Sequence, residues 1–231
     1  MDFNRPSVTV DLGIFTVLDA DLKLLLIRRK LAPFQGMWAL PGGFVQVGPS
    51  ASDQGESVED AAYRELEEET GLPRSKLYLE QLRVFGAPGR DPRERVITVA
   101  WIALVRPDLA PQVHAGTDAA DARWHSVRAE LPDLDLAFDH TDIIPVAIDH
   151  IRDRVDRSSL AFELVPPTFT IAELRSVHEA IQGTAYDRGN FRRRFKRMQT
   201  DGVIGVAPGR RLTNTKPATV YRFLGGQPDQ A

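Results

Sequence analysis

The segment from Gly55 to Leu72, GESVEDAAYRELEEETGL, constrains this chain more than any other. It predicts a helix with Ser57 as N-cap, Asp60 three positions on as a variant capping box, and Gly71 as a left-handed C-terminal residue. Val58, Ala62 and Leu66 recur at helical spacing and predict the face that meets a core. Glu65, Glu68 and Glu69, at i, i+3 and i+4, gather on the other side, within roughly 100° of one another. Carboxylates so close repel. A hard divalent cation relieves that repulsion, because carboxylate oxygens suit Mg²⁺ or Mn²⁺ and the metal in turn seats phosphates. A charge run alone usually marks a solvated face, so the preceding segment decides the reading. Trp38 to Phe44, WALPGGF, is a strand end running into Pro41-Gly42-Gly43, where glycine permits close backbone approach and a carbonyl can join a metal shell.

Together the two pieces resemble the Nudix box, G, five residues, E, seven residues, REUxEExGU with U aliphatic. Glu56, Arg64, Glu65, Leu66, Glu68, Glu69, Gly71 and Leu72 all match. The resemblance implies that Glu68 and Glu69 hold metal, that Glu65 joins them and orients or deprotonates water, that Arg64 positions Glu65, and that a Gly42 or Gly43 carbonyl ligates. One departure stands out: twelve residues, 44 to 55, separate Gly43 from Glu56, seven more than the pattern has. The excess around Pro49 to Gln54 is small and polar and predicts a lengthened surface loop at the mouth of the site. Catalytic geometry tolerates little displacement, so the insertion bears on turnover more than on fold or ligand binding.

At 231 residues the chain predicts one large or two modest domains, and 42% hydrophobic residues suffice for a core. The absence of cysteine excludes disulfides and thiolate metal sites and fits a reducing cytoplasm. No basic segment followed by an apolar one opens the chain, and no apolar run nears the roughly 20 residues that span a bilayer, so the expectation is a cytoplasmic protein without a membrane partner. The net charge of −3 conceals an asymmetry. Residues 168 to 231 hold 11 Lys and Arg against 5 Asp and Glu, whereas residues 1 to 167 hold 18 against 27. A basic module attached to an acidic one predicts that the former meets a polyanion.

Along the chain, Val8 to Leu18 and Leu22 to Ile27 predict a hairpin around Asp19-Ala20-Asp21, and further strands fall at Leu77 to Phe85, Val96 to Val105 and Ala122 to Val127. Arg28, Arg29 and Lys30 end the hairpin as a solvated basic trio or, at a Nudix site, as contacts to a diphosphate, with Arg28 and Arg29 the candidate ligand-binding residues. The loop GAPGRDPRER is placed to border a ligand. Trp124 is expected in the core, and His140 in a capping or packing role at the start of a helix from about Ile143 to Val155. Arg157-Ser158-Ser159 and Pro166-Pro167 place a boundary near 158 to 168, giving domains 1–160 and 165–226.

Beyond the prolines, Thr168 or Thr170 caps a helix through about Gln182, with Leu174, Val177 and Ile181 inward and Gly183 at its end. A second helix runs from near Asp187 to about Thr200, with Phe191, Phe195 and Met198 on its inner face and Asn190, Arg192, Arg193, Arg194, Lys196 and Arg197 mainly outside. Short strands, Val203 to Val206 and Thr219 to Phe223, flank a basic turn with Arg210, Arg211 and Lys216. This order is that of a winged helix-turn-helix, whose second helix enters the major groove. Most of the cations would contact phosphates, and Asn190 with one or two arginines is the candidate reader of base edges.

The fold class that follows is α/β (α+β), a Nudix α/β/α sandwich with a C-terminal winged helix-turn-helix domain. LAFDH at 136–140, AFELVPPTFTIAEL at 161–174, RGNFRRRF at 188–195 and KPATVYRF at 216–223 extend the resemblance to the Nudix-related transcriptional regulators of the NrtR type. It implies a homodimeric repressor of NAD metabolism genes that binds a double-stranded DNA operator. ADP-ribose or a related NAD metabolite is the implied effector in the Nudix domain. The alternative is a Mg²⁺-dependent (or Mn²⁺-dependent) ADP-ribose pyrophosphatase, for which the intact glutamates speak and against which the inserted loop weighs.

Overall fold

The computed structural model describes residues 5–50, 52–112, 119–213 and 216–225. They fall into two compact units. The first holds residues up to Ile148 apart from Thr16–Leu22 and Arg106–Asp108, which cluster with Asp149 onward in the second.

The first unit is built on a mixed seven-stranded sheet. Strands β1 (Ser7–Leu18) and β2 (Asp21–Arg29) form the expected hairpin, turned at Asp19 and Ala20 with φ of 52° and 58°. β3 (Trp38–Ala39) and β4 (Gly42–Phe44) are short, β5 (Tyr78–Phe85) and β6 (Val96–Leu104) are a second antiparallel pair, and β7 (Ala119–Ser126) returns along β2. The order is β3-β2-β1-β6-β5, with β4 paired to β1 and β7 to β2. β1 and β6 run parallel from Ser7 opposite Val96 to Phe15 opposite Leu104. Leu12, Ile14, Phe15, Leu24, Leu26 and Ile102 are buried on both faces, which explains why these strands read as apolar runs rather than alternations. Trp124 is only half-buried in β7, at the margin of the core expected for it, and donates its Nε1–H to the Ala110 carbonyl at 3.3 Å.

Helix α1 (Val58–Thr70) begins where the sequence places it: Ser57 accepts the Asp60 N–H at 3.0 Å, and Gly71 takes φ 68° while donating to Glu67 O at 2.8 Å. Its acidic stripe is not a uniformly solvated face: Glu65 and Glu69 are 9% and 7% exposed, whereas the Glu68 side chain is 59% exposed, so the three carboxylates straddle the edge of the buried face. Helix α2 (His140–Val155) follows, and the division between the two compact units falls within it.

In the second unit the segment after α2 is not loose. Ser158 caps a 3-10 turn over Ser159–Leu164 that buries Leu160, Phe162 and Leu164, and the Phe162 ring stacks on Phe223 at 4.4 Å. Helix α3 (Ile171–Gln182) is capped by Thr170 and not Thr168, in a reciprocal box with Glu173, and Gly183 closes it at φ 71°. Helix α4 (Arg188–Thr200) starts at Asp187 and buries Phe191, Phe195 and Met198 as its spacing predicts. β8 (Ile204–Arg211) and β9 (Ala218–Phe223) form the wing. β8 is longer than the sequence implies, because a bulge between Val206 and Arg210 absorbs Pro208 and Gly209 without ending the pairing. Phe169 pairs with Tyr221 to add a third rung. Among the described residues no helix is long and apolar enough to cross a membrane.

Candidate ligand site and nucleic-acid interface

The box residues converge on Arg64. Its Nε and Nη2 donate to the two Glu56 oxygens at 3.0 and 2.7 Å, its Nη1 donates to Glu65 Oε1 at 2.7 Å, and its Nη2 also reaches the Phe44 carbonyl at 3.1 Å. Glu56 in turn accepts the Gln46 N–H at 2.8 Å, while its own N–H donates to the Gln46 carbonyl at 3.0 Å. Gln46 and Glu56 therefore pinch the inserted loop shut at its neck. Within the inserted segment, Ser50 and Asp53 pair their backbones, each N–H donating to the other's carbonyl at 3.2 Å.

The glycines of the strand β4 turn explain themselves by proximity. A Cβ on Gly43 would stand 2.0 Å from Glu65 Oε1, and one on Gly42, at φ 151°, would stand 2.1 Å from the Val10 carbonyl. Burial pushes the Glu65 carboxyl above its ordinary range; Arg64 opposes the rise, and Glu68 and Glu56 add to it. The Arg64 hydrogen bonds hold Glu56 below its ordinary range against its burial.

Facing this acidic wall is one of arginine and aromatic groups, the two enclosing a cavity of about 490 Å³. Arg29 lies over the Phe138 ring at 4.6 Å, Arg93 stands 5.4 Å from the Phe44 ring, and Phe34 meets Phe138 edge to face at 4.8 Å. Beneath them Arg90, 8% exposed, grips both Asp139 oxygens at 2.8 and 2.7 Å and Asp11 Oδ2 at 3.0 Å. His140 Nδ1 accepts the Leu40 N–H at 2.9 Å, leaving Nε2 to carry the proton towards Asp11 Oδ1 at 3.5 Å. Burial works against charge on Asp11, yet His140 and Arg90 hold its carboxyl below the usual range. His140 thus fastens the start of α2 to the turn before Gly42, the packing role read from the sequence.

The two candidate ligand arginines part company. Arg29 lines the cavity, whereas Arg28, the next residue in a strand, turns to the other side and donates to the Gly36 carbonyl at 2.9 Å. The loop GAPGRDPRER lines the cavity through Arg90, Asp91 and Arg93. Asp11, Asp139 and Phe138 were not among the sequence candidates, and Arg90 entered only as part of the loop GAPGRDPRER; the signals available were a charge inside an apolar strand and the run LAFDH.

The metal expectation meets a suitable donor set. Glu65, Glu68, Glu69 and the Gly43 main chain line one wall, and oxygen donors alone suit a hard divalent cation. Among the described residues no three His, Asp or Glu side chains are drawn together at metal-holding spacing. Arg64 instead balances the charge, with Nη1 2.7 Å from Glu65 and 3.5 Å from Glu68.

In the second unit the cations of α4 divide. Arg192, Arg193, Lys196 and Arg197 are exposed, Asn190 accepts a hydrogen bond from Arg193, and Arg210 and Lys216 are exposed on the wing. Arg194 does not share this surface, contrary to its place among the DNA-binding candidates. Its Nη1 donates to Asp156 Oδ1 at 2.6 Å and its Nη2 to the Asp156 carbonyl at 2.7 Å. Asp156 also accepts the Tyr186 hydroxyl at 2.6 Å and lies 2.8 Å from His178 Nδ1. Arg211 is likewise drawn back, donating to the Thr168 carbonyl at 2.6 Å with Glu173 3.7 Å away. Half-buried arginines with acid or carbonyl partners act as struts, because the charge-assisted hydrogen bonds offset the desolvation of the guanidinium.

Comparison with known proteins agrees with both halves. The NUDIX domain family matches residues 8–146, and the NrtR DNA-binding winged helix domain family matches residues 161–223. The chain is 35% identical over 222 residues to the "ADPR responsive transcriptional repressor NtrR" of Acinetobacter baylyi, covering 96% of this chain and 84% of that one. It is 43% identical over 141 residues to the ADP-ribose pyrophosphatase of Methanocaldococcus jannaschii, covering 61% of this chain and 72% of that one. The crystal structure of Shewanella oneidensis NrtR complexed with a 27mer DNA superposes with a TM-score of 0.79 at 31% identity, over 94% of this chain and 93% of that one. With two domain families matched in order and a relative aligned along nearly its whole length, this chain belongs to the NrtR family of Nudix-domain transcriptional regulators.

Proposed function

We propose that this protein is an ADP-ribose-responsive repressor of NAD metabolism genes, a cytoplasmic homodimer whose α4 helices engage two operator half-sites. The observation that carries the reading is α4 itself: a helix whose inner face is closed by Phe191, Phe195 and Met198 while Arg192, Arg193, Lys196 and Arg197 are exposed on its outer surface. A hydrolase has no use for such a helix. The first unit supplies the sensor. Its arginine and aromatic wall suits a nucleotide's base and phosphates, and its carboxylate wall suits Mg²⁺, which Glu65, Glu68, Glu69 and the Gly43 carbonyl would hold and which would neutralise diphosphate charge and acidify water there.

Effector binding changes operator affinity only through a difference in affinity between two states of the protein, typically about 1–3 kcal/mol or about five- to 150-fold. The test is a titration of the protein against DNA from its own upstream region, with and without ADP-ribose and Mg²⁺, following AMP in the same tubes. Tight binding weakened by at least about fivefold at saturating ADP-ribose is expected; unchanged affinity sinks the proposal. A second reading, ADP-ribose hydrolysis that clears the effector, is favoured by the intact box and by the position of Glu65, buried at the cavity wall and held by Arg64 at 2.7 Å. AMP accumulating in the titration would support it.

A further inference from the structure

Seven side chains of α4, all exposed but the half-buried Gln199, form two stripes. Arg188, Arg192, Lys196 and Gln199, at i, i+4, i+8 and i+11, run along the flank that faces α3. Asn190, Arg193 and Arg197, at i, i+3 and i+7, run along the crest, with Arg193 and Asn190 already joined by a hydrogen bond. The flank stripe is one side of a depression of about 600 Å³ whose other side is the first turn of α3, with Arg175, and whose floor includes Phe191, Phe195 and Tyr221. No carboxylate is among the residues that line it. Arg175 is kept in place by Glu179, one helical turn away at 3.3 Å.

Shape and charge assign different work to the two stripes. Base edges lie at the bottom of a groove and are reached by groups that project, whereas a phosphate stands out from the duplex and fits a concave surface. Four cations from two helices around a hollow can hold such an anion from several sides. We infer that the depression between α3 and α4 is a seat for the DNA backbone, with Arg175, Arg188, Arg192 and Lys196 holding phosphate, and that sequence is read from the crest by Asn190, Arg193 and Arg197. The inference rests on the DNA-binding reading above. It extends that reading to Arg175, which lies outside the recognition helix, and removes Arg192 from the arginines that could read bases.

The test uses the full-length protein with two duplexes, one from its own upstream region and one of scrambled sequence, over a range of salt concentrations. Arg175→Gln and Lys196→Gln are expected to weaken both duplexes by the same factor and to lower the slope of log affinity against log salt by about 0.9 each. The sequences that these variants select from a randomised library should match those of the unaltered protein. Asn190→Ala and Arg193→Gln should instead flatten the preference at individual positions, with a roughly 5- to 150-fold loss of discrimination, while binding to scrambled DNA changes little. Unaltered melting and ADP-ribose binding in Arg175→Gln would show that the variant is folded. A salt slope unmoved by Arg175→Gln, or an altered base preference in it, overturns the division of labour while leaving DNA binding intact. Failure of the unaltered protein to bind either duplex would instead remove the DNA-binding reading and this inference with it.

Discussion

Gly43 shows how a single atom governs the ligand site. An added methyl at 2.0 Å from Glu65 Oε1 cannot be accommodated unless the carboxylate leaves Arg64 or the strand β4 turn shifts. We expect Gly43→Ala to destabilise the first unit by about 1–3 kcal/mol and to weaken ADP-ribose binding; thermal melting together with calorimetric titration of the ligand checks it. The residue types of this wall were legible because the box is local, and a helix with fixed spacing translates sequence distance into spatial distance. The opposite wall was not. Arg90 meets Asp11 across 79 positions and Asp139 across 49, and no periodicity within a segment links residues that only the sheet brings together. The outward placement of Arg194 failed for a related reason: a helical wheel separates inside from outside, but it does not reveal that Asp156 waits beside one edge of the wheel.

At the scale of elements, α3 and α4 are joined by a polar cluster as well as by their apolar faces. His178 is 2% exposed and touches Phe191 at 5.3 Å between ring centres. Burial holds its imidazole below the ordinary value of 6.5, with Arg194 adding to the effect and Asp156 opposing it. Asp156 is held well below the usual carboxylate range by His178, Tyr186 and Arg194 in spite of its burial. Both shifts have the same sign for stability. The unfolded chain takes up protons that the folded cluster refuses, so the second unit loses stability as pH falls below 6.5, first through His178 and, in stronger acid, through Asp156 as well. Melting of the second unit should therefore drop between pH 7.5 and 5.5 by about 4–8 °C for each kcal/mol lost. His178→Asn, which keeps a donor for Asp156 and cannot titrate, should flatten that dependence; an unchanged pH slope would exclude His178 as its origin. The helices themselves were readable to within a residue or two from their caps, since Ser57, Thr170, Gly71 and Gly183 each answer an unsatisfied backbone group. β8 was not, because Pro208-Gly209 signals a turn in any local reading and only the partner strand shows that it is a bulge.

For the molecule as a whole, the charge asymmetry acquires a boundary. Of the 11 basic residues after position 168, Arg194 and Arg211 are spent on internal partners, so the surface offered to a polyanion is smaller than the count suggests. Coupling between the two sites must also be mutual. If ADP-ribose lowers operator affinity by some factor, saturating operator DNA lowers ADP-ribose affinity by that same factor, and calorimetry of the ligand with and without the duplex checks the equality. The loop that Gln46 and Glu56 close at its neck has a practical side. Ser52 is exposed and is not among the residues that line the cavity, so a fluorophore or short peptide grafted onto it should leave the box as it is, and the protein would become its own optical gauge of effector.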